Sequence, residues 1–191
     1  ILTSCGNEIN SISRPLLGTV VTITVDTDPS TAASAVSAAF DEIERIEKVF
    51  SIYNPESAIT GINNGAYSGY VRVDDEILEI LKLSDCISKK TGGAFDITFA
   101  SLGKLWDFSS ENFTPPSSSA IKKILPAFSY KNIIIDDEKK TVRFMNRDTK
   151  IGFGGIAKGY AVKRAVSVLR KNGVKNGIVA CAGDIQVLGS K

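Results

Sequence analysis

A lysine stands in a run of glycines where a helix is predicted to begin. The run spans Gly154–Ala161 (GGIAKGYA), and apolar residues at helical spacing follow it. Glycines ahead of a helix N-terminus let the backbone come close to a phosphate, and the free N–H groups and the helix dipole attract its negative charge. Lys158 would add a positive charge there. The pattern indicates phosphate binding or, alternatively, only a tight strand-to-helix turn with an exposed lysine; it lacks the GxxxxGK[ST] order of a Walker loop.

Three other segments place polar groups beside glycines or aromatic rings. Thr91–Thr98 (TGGAFDIT) puts an acid and a hydroxyl behind a glycine pair, which suits either a ligand or a helix end and turn. An aromatic ring and an amide lie near a loop in the paired segments Phe50–Tyr53 and Ser57–Asn63. That combination suits a flat heterocycle and is also common on surfaces. Cys181–Ile185 follows an apolar strand, where ligands often bind, although Gly-Asp is also an ordinary turn.

Missing residue types narrow the chemistry. The 191 residues contain no histidine, which excludes Ser-His-Asp or Cys-His catalysis and a His-rich zinc site within them. Cys5, Cys86 and Cys181 form no CxxC pair, so no zinc knuckle or dithiol motif is expected. A metal would take oxygen ligands, which favours magnesium or calcium. With 23 basic and 21 acidic residues and no basic cluster among aromatics, nucleic acid is not an expected partner.

The elements that position these segments are strands and helices in irregular order. Such an order predicts an α+β fold rather than regular βαβ alternation. The predicted strands are Val20–Val25, Tyr70–Val73, Asn132–Asp136, Thr141–Met145 and one or two within Gly177–Leu188. The predicted helices start at Asp28–Ser30, at Asp74 or Asp75, and at Lys158, and a short helix is predicted at Ile121–Leu125. Phe108–Ser119 is predicted to be a surface loop.

The N-terminal segment has a different character. Leu2–Gly6 (LTSCG) is typical of the end of a bacterial lipoprotein signal, although a chance cysteine in a frayed tail would read the same. Cys5–Arg14 is polar and lacks periodicity, so residues 1–14 are predicted to be a tether. We therefore expect a lipid anchor on Cys5 that attaches the chain to a membrane. No apolar run approaches the length of a membrane-spanning helix.

Taken together and in order, these segments resemble the ApbE family, the FAD:protein FMN transferases and flavin-trafficking lipoproteins. The resemblance extends from Leu16 to Gly189 and implies an ApbE-like alpha-beta roll, with a mixed, largely antiparallel sheet and packed helices. GAFDIT and GGIAKGYA, with a tryptophan between them, are its most specific signal. The matching pieces are Leu17–Thr19, Ser51–Tyr53, Ser57–Asn63, Thr91–Thr98, Leu105-Trp106, Gly154–Ala161 and Ala182–Asp184.

The resemblance implies residue roles only where residues match. Leu17 and Tyr53 would flank the isoalloxazine ring, with Tyr53 stacked on it. The expected catalytic residues are Asp96, which orients the ligand, and Lys158, which contacts the nucleotide; the carbonyl of Gly155 would be a magnesium ligand. The implied FAD-contacting residues are Leu17, Gly18, Thr19, Tyr53, Asn63, Ala94, Phe95, Asp96, Thr98, Lys158, Gly183 and Asp184.

This chain also departs from the family pattern. Leu17 stands where methionine is common, and Lys163 stands where an aspartate often follows KGYAV. Family chains continue further, with a histidine-containing segment and an Asp/Thr magnesium motif that this sequence lacks. Residues 15–191 are therefore expected to form an FAD-binding domain without its C-terminal part.

The implied activity is magnesium-dependent transfer of FMN from FAD to a threonine hydroxyl of a partner protein, with release of AMP. A close variant would hydrolyse FAD with water as the acceptor. The partner would be a flavin-accepting membrane redox subunit, at the extracytoplasmic side of a bacterial cell envelope. The alternative is a non-catalytic FAD-binding lipoprotein that acts as a flavin scavenger or reservoir.

Overall fold

The structure is a computed structural model that describes residues 8–103, 105–106 and 114–189. The chain divides into a first unit, Ile1–Val49 with Ile156–Lys191, and a second unit, Phe50–Gly155. The predicted lipid attachment at Cys5 and the start of the predicted loop at Phe108–Ser119 lie outside the described residues.

Seven strands and five α-helices make up the described chain. The strands are β1 (Glu8–Leu16), β2 (Thr19–Thr27), β3 (Val71–Arg72), β4 (Ile133–Asp136), β5 (Thr141–Phe144), β6 (Asn176–Cys181) and β7 (Asp184–Leu188). The helices are α1 (Pro29–Phe50), α2 (Ala58–Gly65), α3 (Asp75–Lys90), α4 (Ser118–Ile124) and α5 (Ala157–Lys171), with 3-10 helices at Ile97–Leu102, Leu125–Ala127 and Tyr130–Asn132. None of the described helices is both long and apolar enough to cross a bilayer.

The first unit is built on a four-stranded antiparallel sheet in the order β1-β2-β6-β7. Val21, Ile23 and Val25 alternate along β2 and are fully buried, the two-residue period of a strand with one covered face. Helix α5 packs on β6 and β7, and its Arg164 lies 2.8 Å from Glu42 of α1. The predicted strand at Val20–Val25 and the predicted helices from Asp28–Ser30 and Lys158 are confirmed.

The second unit contains a three-stranded antiparallel sheet in the order β3-β5-β4. The predicted β4–β5 hairpin and the helix expected from Asp74 are confirmed, and the Asp74 side chain accepts the N–H of Ile77 to start α3. Buried side chains of α3, such as Ile77 and Leu81, contribute to its core. The α+β class with antiparallel sheets and packed helices is confirmed.

The predicted tether is wrong from Glu8 onward, because Glu8–Leu16 forms β1 and pairs with β2 along its whole length. Most β1 side chains are exposed, so no buried period marks the strand in the sequence. Hydroxyl pairs across the hairpin stabilise it instead: Ser11 lies 2.9 Å from Thr24, and Ser13 lies 2.8 Å from Thr22.

The helix α2, which follows the aromatic segment at Ser51–Tyr53, was not predicted from the sequence. Ser57 caps this helix, since its hydroxyl accepts the N–H of Thr60 at 3.0 Å. Its eight residues include two glycines and two asparagines, which lower helix propensity. Burial of Ile59 and Ile62 therefore stabilises α2 more than its intrinsic propensity does.

Candidate functional site

Two hairpin turns lie side by side at one end of the first unit's sheet. Leu17 and Gly18, between β1 and β2, have φ of 55° and 67°, the two positive values of a type I′ turn. Ala182, between β6 and β7, has φ of 50°, and Gly183 does not have a positive φ, the pattern of a type II′ turn. Because Val21 of β2 pairs with Cys181 of β6, both turns meet at this end, which we call the turn end.

Leucine is an unusual residue for a type I′ turn, where asparagine, aspartate or glycine normally supplies the positive φ. A bulky residue in this region costs about 1–2 kcal/mol. The Leu17 N–H donates to Oε1 of Glu47 on α1 over 2.9 Å. Leu17 is half-buried, and Gly18 is exposed and has open space around it.

The start of α5 belongs to the same end of the sheet. Its N-cap residue Ile156 has no side-chain capping hydrogen bond, so the first-turn N–H groups are not used by a cap. Lys158 follows, and its side chain forms no hydrogen bond or ion pair with any of the described residues. Asp184 of β7 lies over this turn: a Cβ added at Gly159 would stand 3.4 Å from its Oδ1.

The pKa of the Cys181 thiol depends on the charged groups around the turn end. Its thiol is fully buried, and burial raises its pKa, while the positive charge of Lys158 acts in the opposite direction and Asp184 and Glu47 raise it further. The thiol is therefore protonated at neutral pH. The structure thus brings together the predicted residues Leu17, Gly18, Thr19, Lys158, Gly183 and Asp184.

In the second unit, both carboxylate oxygens of Asp96 are engaged by protein donors. Oδ1 accepts the N–H of Thr98 at 2.8 Å and its hydroxyl at 2.6 Å. Oδ2 accepts the N–H of Tyr130 at 2.6 Å. Asp96 therefore starts the 3-10 helix at Ile97–Leu102 and connects it to the one at Tyr130–Asn132. Thr98 is fully buried, which leaves its hydroxyl inside this network; the catalytic role expected for Asp96 stays a prediction.

The Asn63 side chain likewise forms hydrogen bonds with backbone groups of its own chain. Its amide donates to the Ile151 carbonyl at 2.9 Å, and its Oδ1 accepts the Ile151 N–H at 2.8 Å. The Lys150 ammonium donates to the Asn63 carbonyl. These bonds fix the segment that leads into Gly152, Gly154 and Gly155. The structure shows a positioning role for Asn63, and its predicted contact with FAD stays a prediction.

Aromatic rings line the glycine segment. A Cβ at Gly155 would lie 3.3 Å from the Phe95 ring, and a Cβ at Gly154 would lie 3.4 Å from the Phe99 ring. Glycine at these positions therefore lets the rings approach the backbone. Phe99 is 41% exposed and was not predicted as a site residue, since the family motif ends at Thr98 and the next matching piece begins at Leu105. Ala94, also a predicted contact, is exposed.

Tyr53 is the most accessible aromatic among the predicted residues of the second unit. It is 90% exposed, while its backbone is held by the Ser51 hydroxyl, which accepts the Tyr53 N–H at 3.1 Å. A ring on a fixed turn with most of its area in water is free to stack on a planar ligand.

The described residues provide little for a metal site. Among residues 8–103, 105–106 and 114–189, no three His, Cys, Asp or Glu side chains group as a metal site requires. The predicted ligand, the carbonyl of Gly155, is a single donor on an exposed residue.

The chain is similar to several curated proteins and matches one family model. The model, described as the ApbE family, matches residues 17–191. A protein of Klebsiella pneumoniae (strain 342) named FAD:protein FMN transferase is 25% identical over 183 residues, covering 96% of this chain and 57% of that protein. One of the same name from Treponema pallidum is 26% identical, covering 98% and 55%. The chain therefore spans a little more than half the length of these relatives.

Solved structures share the fold. The crystal structure of the ApbE protein from Thermotoga maritima is 32% identical with a TM-score of 0.88, and the match covers 96% of this chain and 60% of that one. The apo form of the flavinyl transferase ApbE from Pseudomonas stutzeri has a TM-score of 0.86 at 20% identity, covering 100% and 61%. The second likeness bears on the fold alone.

Proposed function

Since the chain belongs to the ApbE family, we propose that it binds FAD and takes part in transferring FMN from FAD to a threonine hydroxyl of a partner protein, with release of AMP. The observation that carries the proposal is the turn end of the first unit. An uncapped helix start, an unpaired lysine among the described residues and two tight turns meet there. Such groups suit the pyrophosphate of a dinucleotide.

The residues at the turn end would bind and orient rather than form covalent bonds. Lys158 would neutralise charge on the nucleotide, and the first-turn N–H groups of α5 would donate to phosphate oxygens. Leu17 would contact an apolar part of the ligand. In phosphoryl transfer the protein contributes mainly positioning and charge neutralisation, and these groups are of the kind required.

Magnesium dependence belongs to the proposal through the family resemblance. When bound, the ion would polarise the pyrophosphate. Magnesium sites in proteins generally use one or two carboxylates with phosphate oxygens and water. One carbonyl at Gly155 does not make such a site, and among the described residues no three His, Cys, Asp or Glu side chains are grouped so that they could hold a metal ion. We therefore assign no step to the metal.

A second candidate is FAD binding without catalysis, in a flavin scavenger or reservoir. The observation that favours it is Asp96, whose carboxylate accepts three hydrogen bonds from its own chain and thus has a structural use that needs no catalysis. Hydrolysis of FAD with water as the acceptor is a variant of the transferase.

Product formation separates these candidates. The protein expressed from its whole gene would be incubated with FAD, magnesium and a threonine-containing acceptor protein, and AMP release and flavin on the acceptor would be followed. Transfer predicts both products, hydrolysis predicts AMP without labelled acceptor, and a reservoir predicts FAD binding with neither. Absence of FAD binding would contradict all three.

We also propose lipid attachment at Cys5, a membrane-bound redox partner, and a location on the extracytoplasmic side of a bacterial envelope. They rest on Leu2–Gly6 and on the family resemblance. Expression in a bacterium behind a lipoprotein signal, with a Cys5→Ser variant beside it, tests the attachment. Loss of the variant from the membrane fraction is expected; equal partition would contradict lipidation.

A further inference from the structure

Two residues at the turn end are unfavourable for their local backbone or helix position, and a hydrogen bond joins them. Leu17 takes a positive φ of 55° in a turn that favours asparagine, aspartate or glycine. Glu47 lies in the last turn of α1, where the helix dipole disfavours a negative charge. Local choices that conflict with local preference are expected mainly at functional or strained sites.

The bond between them explains how each is tolerated. The Leu17 N–H donates to Glu47 Oε1 over 2.9 Å in a part-buried setting, and a carboxylate acceptor makes such a bond stronger than a neutral one. The bond joins residues thirty positions apart and ties the β1–β2 turn to α1. Strained backbone persists only where surrounding contacts hold it, and Glu47 supplies such a contact.

We propose that Glu47 is a positioning residue that holds the Leu17-Gly18 turn in its left-handed form and thereby presents the Leu17 side chain to the ligand. This inference rests on the proposed FAD binding. An amide oxygen at position 47 would keep the same bond in a weaker, neutral form, so a side chain of the same length with an oxygen acceptor would fulfil most of the role. The negative charge itself lies close enough to the turn end to act on Cys181, so it disfavours an anionic ligand there.

The role predicts a specific pattern among three variants of the 191-residue chain. Glu47→Leu loses the acceptor and should weaken FAD binding about tenfold, the equivalent of one charge-assisted hydrogen bond. Glu47→Gln keeps an oxygen acceptor and should bind FAD within about twofold of wild type or more tightly. Glu44→Leu is the matched control, since Glu44 is on the same helix and pairs with exposed Lys48.

A double-mutant cycle in unfolding free energy tests the turn separately. Glycine keeps the backbone N–H at position 17 and adopts positive φ without strain. The destabilisation caused by Glu47→Leu should therefore be larger in a Leu17→Gly background than in wild type, where a freed Leu17 turn can relax and recover part of the loss. A purely helical effect of Glu47→Leu would be the same in both backgrounds.

The two measurements, calorimetric FAD titration and denaturant unfolding, fail in different ways. Equal FAD affinities of the Glu47→Leu and Glu44→Leu variants would overturn the positioning role, and an unchanged stability loss in the Leu17→Gly background would overturn the turn contact. A wild-type chain that does not bind FAD would overturn the proposed function, while the stability cycle would still decide whether Glu47 holds the turn.

Discussion

The two compact units use their motif residues in opposite ways. In the first unit, the start of α5 has no side-chain cap, and Lys158 has no hydrogen-bond or ion-pair partner among the described residues. In the second unit, Asp96 and Asn63 are engaged by backbone groups of their own chain. A polar residue in a motif that resembles the family's is therefore not enough to mark a ligand contact. Unused N–H donors at a helix start beside a lysine with no partner among the described residues are the stronger indication, and this combination is found at the turn end of the first unit.

The largest effect that separates the units is expected from Asp96→Asn. The amide of the asparagine has only one oxygen, and its NH2 group would face a donor, either of Thr98 or of Tyr130. At least one part-buried hydrogen bond would therefore be lost. We expect the unfolding free energy to fall by about 1–3 kcal/mol. Chemical denaturation measures it.

The control for this variant is Asp137→Asn in the same unit. Asp137 is 60% exposed and pairs with Lys82 on the surface, and such pairs contribute about 0–1 kcal/mol. If Asp96→Asn is no more destabilising than this control, the carboxylate of Asp96 is not structural and its role as a ligand contact becomes the better interpretation.

Tyr53→Ala should have the next largest effect, on binding and not on stability. Its exposed ring is free to stack on the flavin, and stacking of a base or flat ring on an aromatic contributes about 1–3 kcal/mol. FAD affinity should fall accordingly in calorimetry, while AMP affinity stays unchanged. Tyr67→Ala, an exposed tyrosine outside the predicted site, serves as the control. Equal FAD affinities for both variants would make Tyr53 an ordinary surface residue.

The smallest effects are expected at two glycines of the second unit, with opposite signs. Gly155→Ala would bring a Cβ within 3.3 Å of the Phe95 ring, which is partly exposed and can shift. The free energy of unfolding should therefore fall by only about 0.5 kcal/mol, seen as a slightly lower melting temperature. Gly61 lies in α2 with open space around it. Gly61→Ala should stabilise by about 0.5–1 kcal/mol. A stabilising Gly155→Ala would show that Phe95 does not restrict this position.

The sequence predicts those elements whose hydrophobic period is regular. The helix after Asp28, the helix after Asp74 and the β4–β5 hairpin follow from apolar spacing and turn residues. The strand β1 could not be predicted because both its faces are largely exposed and hydroxyl pairs stabilise it. The helix α2 could not be predicted because it is short and contains glycine and asparagine. Burial of its isoleucines stabilises the helix.

The candidate site is predictable in part for a similar reason. Family motifs identify Leu17, Tyr53 and Lys158 by resemblance, and the structure brings Leu17 and Lys158 to the same end of one sheet. Partners that are distant in the sequence could not be predicted: Glu47 is thirty residues from Leu17, and Tyr130 is 34 from Asp96. No local pattern marks such hydrogen bonds.

The central claim is that the turn end of the first unit binds the phosphates of FAD through Lys158. Calorimetric titration of FAD into the wild-type chain and a Lys158→Ala variant, at low and high salt, tests it most directly. The variant should bind at least about tenfold more weakly at low salt, because an ion pair with phosphate is lost in a partly buried setting. Added salt should weaken the wild type more than the variant. Equal affinities with the same salt dependence would contradict the claim.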